Sequence, residues 1–171
     1  CTITGYTGSG GDVVIPNGVT TIGNGIFQFN NSITSVVIPD SITTIGDNAF
    51  DQCESLKTVT FGTNSQLTTI GGAAVRFFSN ILNNYTSHSV TSIGKNAFYY
   101  CNSLSTVYYG GTAEEWADIS IDSTGNDKLT SATVYYYSET EPALNEDETA
   151  YDGNYWHFVE GEIVIWVKET V

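Results

Sequence analysis

The sequence predicts an α/β solenoid: right-handed, built of stacked coils of about 23 residues, with mostly short parallel strands, single helical turns and a C-terminal β-hairpin. Three observations carry this. The phrase apolar–x–x–Ile–Gly–x–x–Ala–Phe recurs as "VTTIGNGIF", "ITTIGDNAF", "LTTIGGAAV" and "VTSIGKNAF". Its Ile-Gly pairs begin at Ile22, Ile45, Ile70 and Ile93, a nearly constant step along the chain. Between the phrases, apolar residues alternate as they do along strands. A fixed period of about 20–50 residues marks one structural unit stacked on copies of itself. Such a unit cannot close its own core, so neighbours must bury one another. Function is then expected on a long surface and not in a deep cleft.

Coil two, Asn31 to Cys53, serves as the template. Ile33, Val36 and Ile38 keep L-x-x-L-x-L spacing. Alternation points Val36 and Ile38 inward, and Ser35 and Val37 outward. Pro39 ends the ladder because it has no N–H to donate. Ile42 and Ile45 begin a second extended run, and Gly46 is expected to permit a tight bend. "DNAF" reads as one helical turn that starts at Asp47 and drops Phe50 into the core. Position 53 takes a short polar side chain that can bond loop backbone inside the coil, and Asn30 fills the same position in coil one.

Coil one repeats the pattern through Val13, Ile15, Pro16, Val19, Ile22 and Phe27. Coil three uses Leu56, Val59, Phe61, Leu67, Ile70 and Val75, with two extra residues around Asn64 and Ser65. Coil four is degenerate. Strict register buries Asn84 and Thr86, which is unfavourable unless both are bonded. A slip of one residue buries Leu82 and Tyr85 instead and is the favoured reading. Val90, Ile93, Phe98 and Cys101 restore the pattern.

Coil five starts with Leu104, Val107 and Tyr109 and then departs. Thr112 and Glu115 form a capping box that opens a short helix carrying Trp116. Leu129, Ala132 and Val134 reinstate the strand spacing a sixth time. The expected organisation is a solenoid of about six coils over 1–138, an acidic linker or loop over 139–154, and a hairpin over 155–171. The hairpin turns at Glu160-Gly161 and is either a cap or the start of a further module.

Nineteen acids against five bases give a net charge of −14, which argues against nucleic acid or an anionic membrane as partner. Glu139, Glu141, Glu146, Asp147, Glu148, Asp152, Glu160 and Glu162 crowd one late stretch. No apolar run approaches the roughly 18 residues of a membrane span. Met is absent, so the chain is expected to be processed or a fragment.

Cys53 and Cys101 fill one repeat position, each at the same offset after its Ile-Gly pair, Ile45 and Ile93. With one coil between them, their Cα atoms should lie roughly 10 Å apart at about 4.8 Å per coil. That is too far for a disulfide, so both are read as buried thiols. Cys1 is either an ordinary residue or the lipid-bearing first residue of a mature lipoprotein.

These residues resemble the BspA-like, or Treponema pallidum-type, leucine-rich repeats. Pro16, Pro39, the four Ile-Gly pairs, Cys53 and Cys101 carry the resemblance, which runs from Val13 to about Val134. Gly62 in place of the proline and Phe78 in place of Cys or Asn depart from the pattern. The resemblance implies a leucine-rich-repeat fold in a secreted or surface-attached bacterial protein, and in some members adhesion to matrix proteins or other bacteria.

No catalytic, cofactor-binding or metal-ligating set is expected. His88 and His157 have no ligand neighbour at helical spacing. Glu114 and Glu115 are explained by capping and the helix dipole. "GSGGD" precedes a strand and reads as a turn. Asp147 and Glu148 lack the spacing of a calcium loop.

What remains is the outward face of the strands. Its expected rows are Ser35, Thr58, Thr106 and Ser131, then Val37, Thr60, Tyr108 and Thr133, with Tyr135 and Tyr137 one coil further. Tyrosine offers a flat apolar face with a polar tip, suited to protein or sugar contact. The expected function is a non-enzymatic extracellular or cell-surface binding module. Its concave face would meet a protein or glycan through Val37, Thr60, Tyr108, Thr133, Tyr135 and Tyr137. The alternative is a passive spacer within a larger surface protein.

Overall fold

Each coil lays down a long strand and a short one. The computed structural model of the chain describes residues 1–61, 64–75, 88–102, 104–160 and 162–168, and the backbone of 85–86. The first coils contain β1 (Thr2–Ile3), β2 (Gly11–Val14), β3 (Thr21–Ile22), β4 (Ile33–Ile38) and β5 (Thr44–Ile45). Next come β6 (Thr58–Phe61), β7 (Thr69–Ile70), β8 (Tyr85–Thr86), β9 (Ser92–Ile93) and β10 (Thr106–Tyr109). The last part holds α1 (Ala113–Ala117), β11 (Ser120–Ile121), α2 (Asp127–Thr130), β12 (Thr133–Tyr137), β13 (Tyr155–Val159) and β14 (Glu162–Ile165).

The short strands form one six-stranded ladder in the order β1-β3-β5-β7-β9-β11. It is parallel throughout and stacks Ile3, Ile22, Ile45, Ile70, Ile93 and Ile121 in one column. The long strands form two separate sheets, β2-β4-β6 and β8-β10-β12-β13-β14. Both are parallel except at the closing hairpin, where β13 and β14 run antiparallel. The core lies between the ladders. Ile33, Val36, Ile38, Ile42, Ile45 and Phe50 of the template coil are all buried. Down the stack, the Phe27 and Phe50 rings lie 5.0 Å apart and nearly parallel. Tyr6 tilts onto Phe27 at 5.1 Å and covers that end of the column.

In the template coil, the segment after the Ile-Gly pair is not the expected helical turn. It is a run of three reverse turns, in which Gly46, Asn48 and Phe50 carbonyls accept from Ala49, Asp51 and Cys53 N–H. Asn48 and Gln52 take positive φ of 56° and 57°, so the chain kinks left-handed twice where a helix would continue. The groups between these turns bond the neighbouring coils. Asn48 and Phe50 N–H donate to Gly72 and Ala74, while Asp47, Ala49 and Asp51 carbonyls accept from Gly25, Phe27 and Phe29. Bonding across coils satisfies groups that a single isolated helical turn would leave open.

Asp47 accordingly caps its neighbour and not its own turn. Its Oδ1 accepts from Gly72 N–H at 2.7 Å, as Asn24 Oδ1 accepts from Asp47 N–H at 3.0 Å. The threonine that precedes Thr-Ile-Gly or Ser-Ile-Gly forms a second column. Thr43, Thr68 and Thr91 each donate a hydroxyl to the threonine carbonyl one coil back, at 3.1, 2.9 and 3.3 Å.

Gly46 serves a different end from the bend expected of it. None of Gly23, Gly46, Gly71 and Gly94 lies in the left-handed region. A Cβ on Gly71 would stand 2.6 Å from both the Gly46 carbonyl carbon and Asp47 N. On Gly94 it would stand 2.6 Å from Gly72 N. Glycine is required here because the next backbone passes too close for any side chain.

Coil four keeps the strict step in its backbone. Tyr85 pairs with Tyr108 and Thr86 with Tyr109, so the favoured slip of one residue does not occur. Leu82, Asn84, Phe78, Gly62 and Gly161 lie outside the described residues. Coil five departs from the repeat into its short helix, as expected, and then rejoins the short-strand ladder. After the capping box, with Thr112 and Glu115 bonded reciprocally, β11 returns and sets Ile121 on Ile93. Buried Asn126 secures this return. Its Nδ2 donates to the Gly94 and Asp122 carbonyls at 3.0 and 2.7 Å, and its Oδ1 accepts from Phe98 N–H at 3.0 Å.

Two stability measurements check this architecture. Phe50→Ala should lower unfolding free energy by about 3–5 kcal/mol in urea titration, through the cavity left in the ring column. Gly71→Ala should cost about 1–3 kcal/mol, the scale of overpacking a filled site. A stabilising alanine there would show that the coils are not held at this spacing.

Candidate binding face

On β4 the pattern is strict: Ile33, Val36 and Ile38 are buried while Thr34 and Val37 are exposed. Parallel register carries Val37 beside Thr60 as expected, and adds Val14 on the other side. Val14 and Val37 are 69% and 41% exposed, so this apolar row faces solvent. The neighbouring row runs Asp12, Ser35 and Thr58. Asp12 places a carboxylate on a face expected to be uncharged. Ser35 Oγ donates to Asp12 Oδ1 at 2.6 Å and Thr34 Oγ1 at 3.1 Å. These two bonds, Ser35 first, hold the Asp12 carboxyl below its usual value.

The tyrosines form a second patch, because β6 and β8 belong to different sheets. Here the step from β10 to β12 is longer than a regular coil, which corrects the expected rows. Tyr108 stands beside Tyr135, and Thr133 beside Thr106. A shift of two keeps each side chain on its expected face but changes its neighbour. Ser131 is not in the sheet at all. It is the C-cap of α2, donating to the Asp127 carbonyl at 2.6 Å.

Tyr108 and Tyr135 rings lie 5.7 Å apart. Tyr137 pairs with Trp156 of β13, which is fully buried. The Trp156 ring sits edge-on at 5.1 Å from Tyr137 and 6.0 Å from Tyr108, and its Nε1 donates to the Tyr109 carbonyl at 2.9 Å. Tyr108 and Tyr137 thus help hold the hairpin to the solenoid. Burial first, then Tyr135 beside it, raise the Tyr108 phenol above its ordinary value.

The segment over 139–154 folds back as a loop. Leu144 and Tyr151 bridge antiparallel. Asn145 Oδ1 accepts from Thr149 and Ala150 N–H at 2.9 and 3.2 Å, closing the loop. Trp166 donates its Nε1–H to the Ser138 carbonyl at 2.9 Å and meets the Tyr151 ring at 6.2 Å. Folded back in this way, the segment and the end of the hairpin face Tyr135 across a groove of about 400 Å³. Sequence reasoning found Tyr135 but not Tyr151 or Trp166, which fall at no repeat position. Val14 could have been found, since it stands one regular step before Val37.

The model of the BspA type leucine rich repeat region matches residues 6–124, in six copies. The chain belongs to the BspA-type leucine-rich-repeat family. A leucine-rich repeat protein of Treponema pallidum is similar at 26% identity over 63% of this chain and 62% of its own, with a TM-score of 0.50. The pneumococcal vaccine antigen PcpA is similar in fold at 20% identity, over 82% of this chain and 35% of its own, with a TM-score of 0.52. A leucine-rich cell surface protein of Faecalibacterium prausnitzii matches at 24% identity, over 96% of this chain and 56% of its own, with a TM-score of 0.47. The chain thus spans less than two thirds of the length of each. No curated protein matches it.

The cysteines of the BspA-type coils are free thiols, Cys1 exposed, Cys53 and Cys101 buried. Cys53 Sγ donates to the Phe27 carbonyl at 2.9 Å and Cys101 Sγ to the Val75 carbonyl at 3.2 Å. Each therefore bonds loop backbone, as expected of this position, but that of the coil before it and not of its own coil. Burial pushes the Cys53 thiol up to about 11, with Asp51 adding to the rise and the Asn30 backbone opposing it. His157 stacks on Trp166 at 4.0 Å, and exposed His88 lends its carbonyl to the Tyr109 hydroxyl. Among the described residues no helix is long and apolar enough to cross a membrane.

The thiols give a direct check. Because the folded pKa of Cys53 is raised, the unfolded chain loses this proton first as pH rises. Stability from this group is complete below about pH 9 and should fall between about 9 and about 11. At neutral pH the melting temperature should not respond to reductant, and Cys53 should react with a thiol reagent only in urea.

Proposed function

We propose that this BspA-type solenoid is a non-enzymatic extracellular or cell-surface binding module that meets a protein or glycan through the outward face of its long strands. The observation that carries this reading is the row Val14, Val37 and Thr60. These are exposed, uncharged side chains set side by side on a rigid ladder, in a chain of net charge −14. Exposed apolar positions rimmed by polar ones mark interaction surfaces more often than scattered single residues do. The Tyr108, Tyr135, Tyr137 and Thr133 patch extends the same face toward the hairpin, where tyrosine supplies contact area with a polar tip.

The two patches call for different variants. Tyr108 and Tyr137 also pack on Trp156, so their truncation confounds binding with stability. Val37 and Thr60 are exposed, and a lysine at each should leave the fold intact. The test screens the immobilised chain against extracellular matrix proteins and glycans, then measures the captured partner against Val37→Lys/Thr60→Lys. Loss of about 2 kcal/mol, roughly thirtyfold in affinity, with an unchanged melting temperature is the expected outcome. Undiminished binding moves the site off this face. A blank screen favours the passive spacer.

A further inference from the structure

The groove beside Tyr135 has a lining unlike its surroundings. Five carboxylates, Glu141, Glu146, Asp147, Glu148 and Asp152, lie within or beside the loop that forms one wall. Among the described residues none of these lines the groove, and the one charged lining residue is Lys168. Its ammonium is held by the Glu148 carbonyl. Tyr135, Tyr151 and Trp166 supply aromatic surface beside the aliphatic Ile165 and Val167, and Thr149 and Asn154 stand among them.

We propose that this groove is a subsite for a neutral glycan, a disaccharide-sized run of pyranose rings. The inference rests on the binding-module reading and assigns it a ligand class. A pyranose carries an apolar C–H face and an edge of hydroxyls. It therefore needs an aromatic face with polar groups at its border, the two-sided character that tyrosine and tryptophan provide. Tyr151 and Trp166 meet at 78°, making an aromatic corner of floor and wall. The Tyr135 hydroxyl and the Asn154 side-chain amide make no hydrogen bond with any described residue. Thr149 Oγ1 accepts from Asn145 Nδ2 at 3.1 Å, which leaves its own proton to donate.

Charge narrows the class further. An acidic sugar would meet the surrounding carboxylates with only Lys168 to offset them. A basic peptide would find no carboxylate in the described lining to pair with. The groove is also held in shape before any ligand arrives. Trp166 is fixed by Ser138 and by stacking on His157, and Asn145 clamps the loop. Preorganisation of this kind lowers the ordering cost of binding. A volume of about 400 Å³ falls within the roughly 300–1,000 Å³ of small-molecule sites.

The experiment follows the Trp166 indole N–H by NMR in the whole chain. Neutral di- to tetrasaccharides of glucose, galactose, mannose and N-acetylglucosamine are added in turn, then a sialylated trisaccharide and an oligolysine peptide. At least one neutral saccharide should shift this signal saturably. Asn154→Ala, which removes the amide at the border of the groove, and Tyr135→Ala, which removes an aromatic face, should each weaken that binding about tenfold or more. Lys57→Ala, at an exposed position of coil three outside the groove, should leave it unchanged. The inference is overturned if no neutral saccharide moves the signal, or if the sialylated sugar or the peptide saturates it more tightly. A protein partner that is lost with Val37→Lys/Thr60→Lys while every saccharide leaves Trp166 unmoved would retain the binding module and remove the glycan subsite.

Discussion

Everything in this solenoid depends on how closely one backbone lies on the next at the Ile-Gly pairs. A methyl group on Gly71 would sit 2.6 Å from backbone atoms of the coil before it, so the column admits only glycine. That approach sets the height of a coil. It brings the three-turn segments near enough to exchange hydrogen bonds in alternation, within the coil and across it. It also stacks the threonine hydroxyls, the Asn24–Asp47 caps and the isoleucines in columns. A side chain at any one of these glycines would disturb all of these columns together, which is why a short phrase governs so long a structure.

The two ladders respond differently to imperfect repeats. Short strands need only two residues to pair, so their ladder runs unbroken from β1 to β11 across coil three's insertion and the helix of coil five. The long strands instead form two sheets, divided between β6 and β8. The division separates a face of small exposed side chains from an aromatic one. On the aromatic side, Trp156 is the tie: it lies buried against tyrosines from two strands and bonds the Tyr109 backbone. The hairpin extends the long-strand sheet while the loop before it folds back. Together they create a concave feature against Tyr135 of β12, most of it built from residues that belong to no repeat.

Repetition made most of this legible from the sequence. The period, the inward residues of the template coil, the free thiols at positions 53 and 101 and the Thr112–Glu115 capping box are set by local spacing, and each stands where that spacing put it. Alternation alone placed Val37, Thr60, Tyr108 and Tyr135 on an outward face, since the period of a strand admits only two choices. The same reasoning failed wherever the answer depended on a neighbouring coil. Asp47 at the head of "DNAF" looks like a helix cap, yet its partner is Gly72, in the next coil. Gly46 looks like a bend, yet its reason is the backbone passing beside it.

The sequence by itself determined the repeating unit, which side chains it buries and which it shows. These follow from strand periodicity and from the impossibility of burying a single coil. Tertiary structure decided the contacts between units that differ. The lengthened step that sets Tyr108 beside Tyr135, the strict backbone register of coil four and the return of Ile121 to its column lie outside the repeat. So does the groove, which brings Tyr135, Tyr151 and Trp166 together from a strand, a loop and the end of a hairpin. Such contacts join residues of unrelated spacing through packing of the assembled core, and only the folded chain brings them into range.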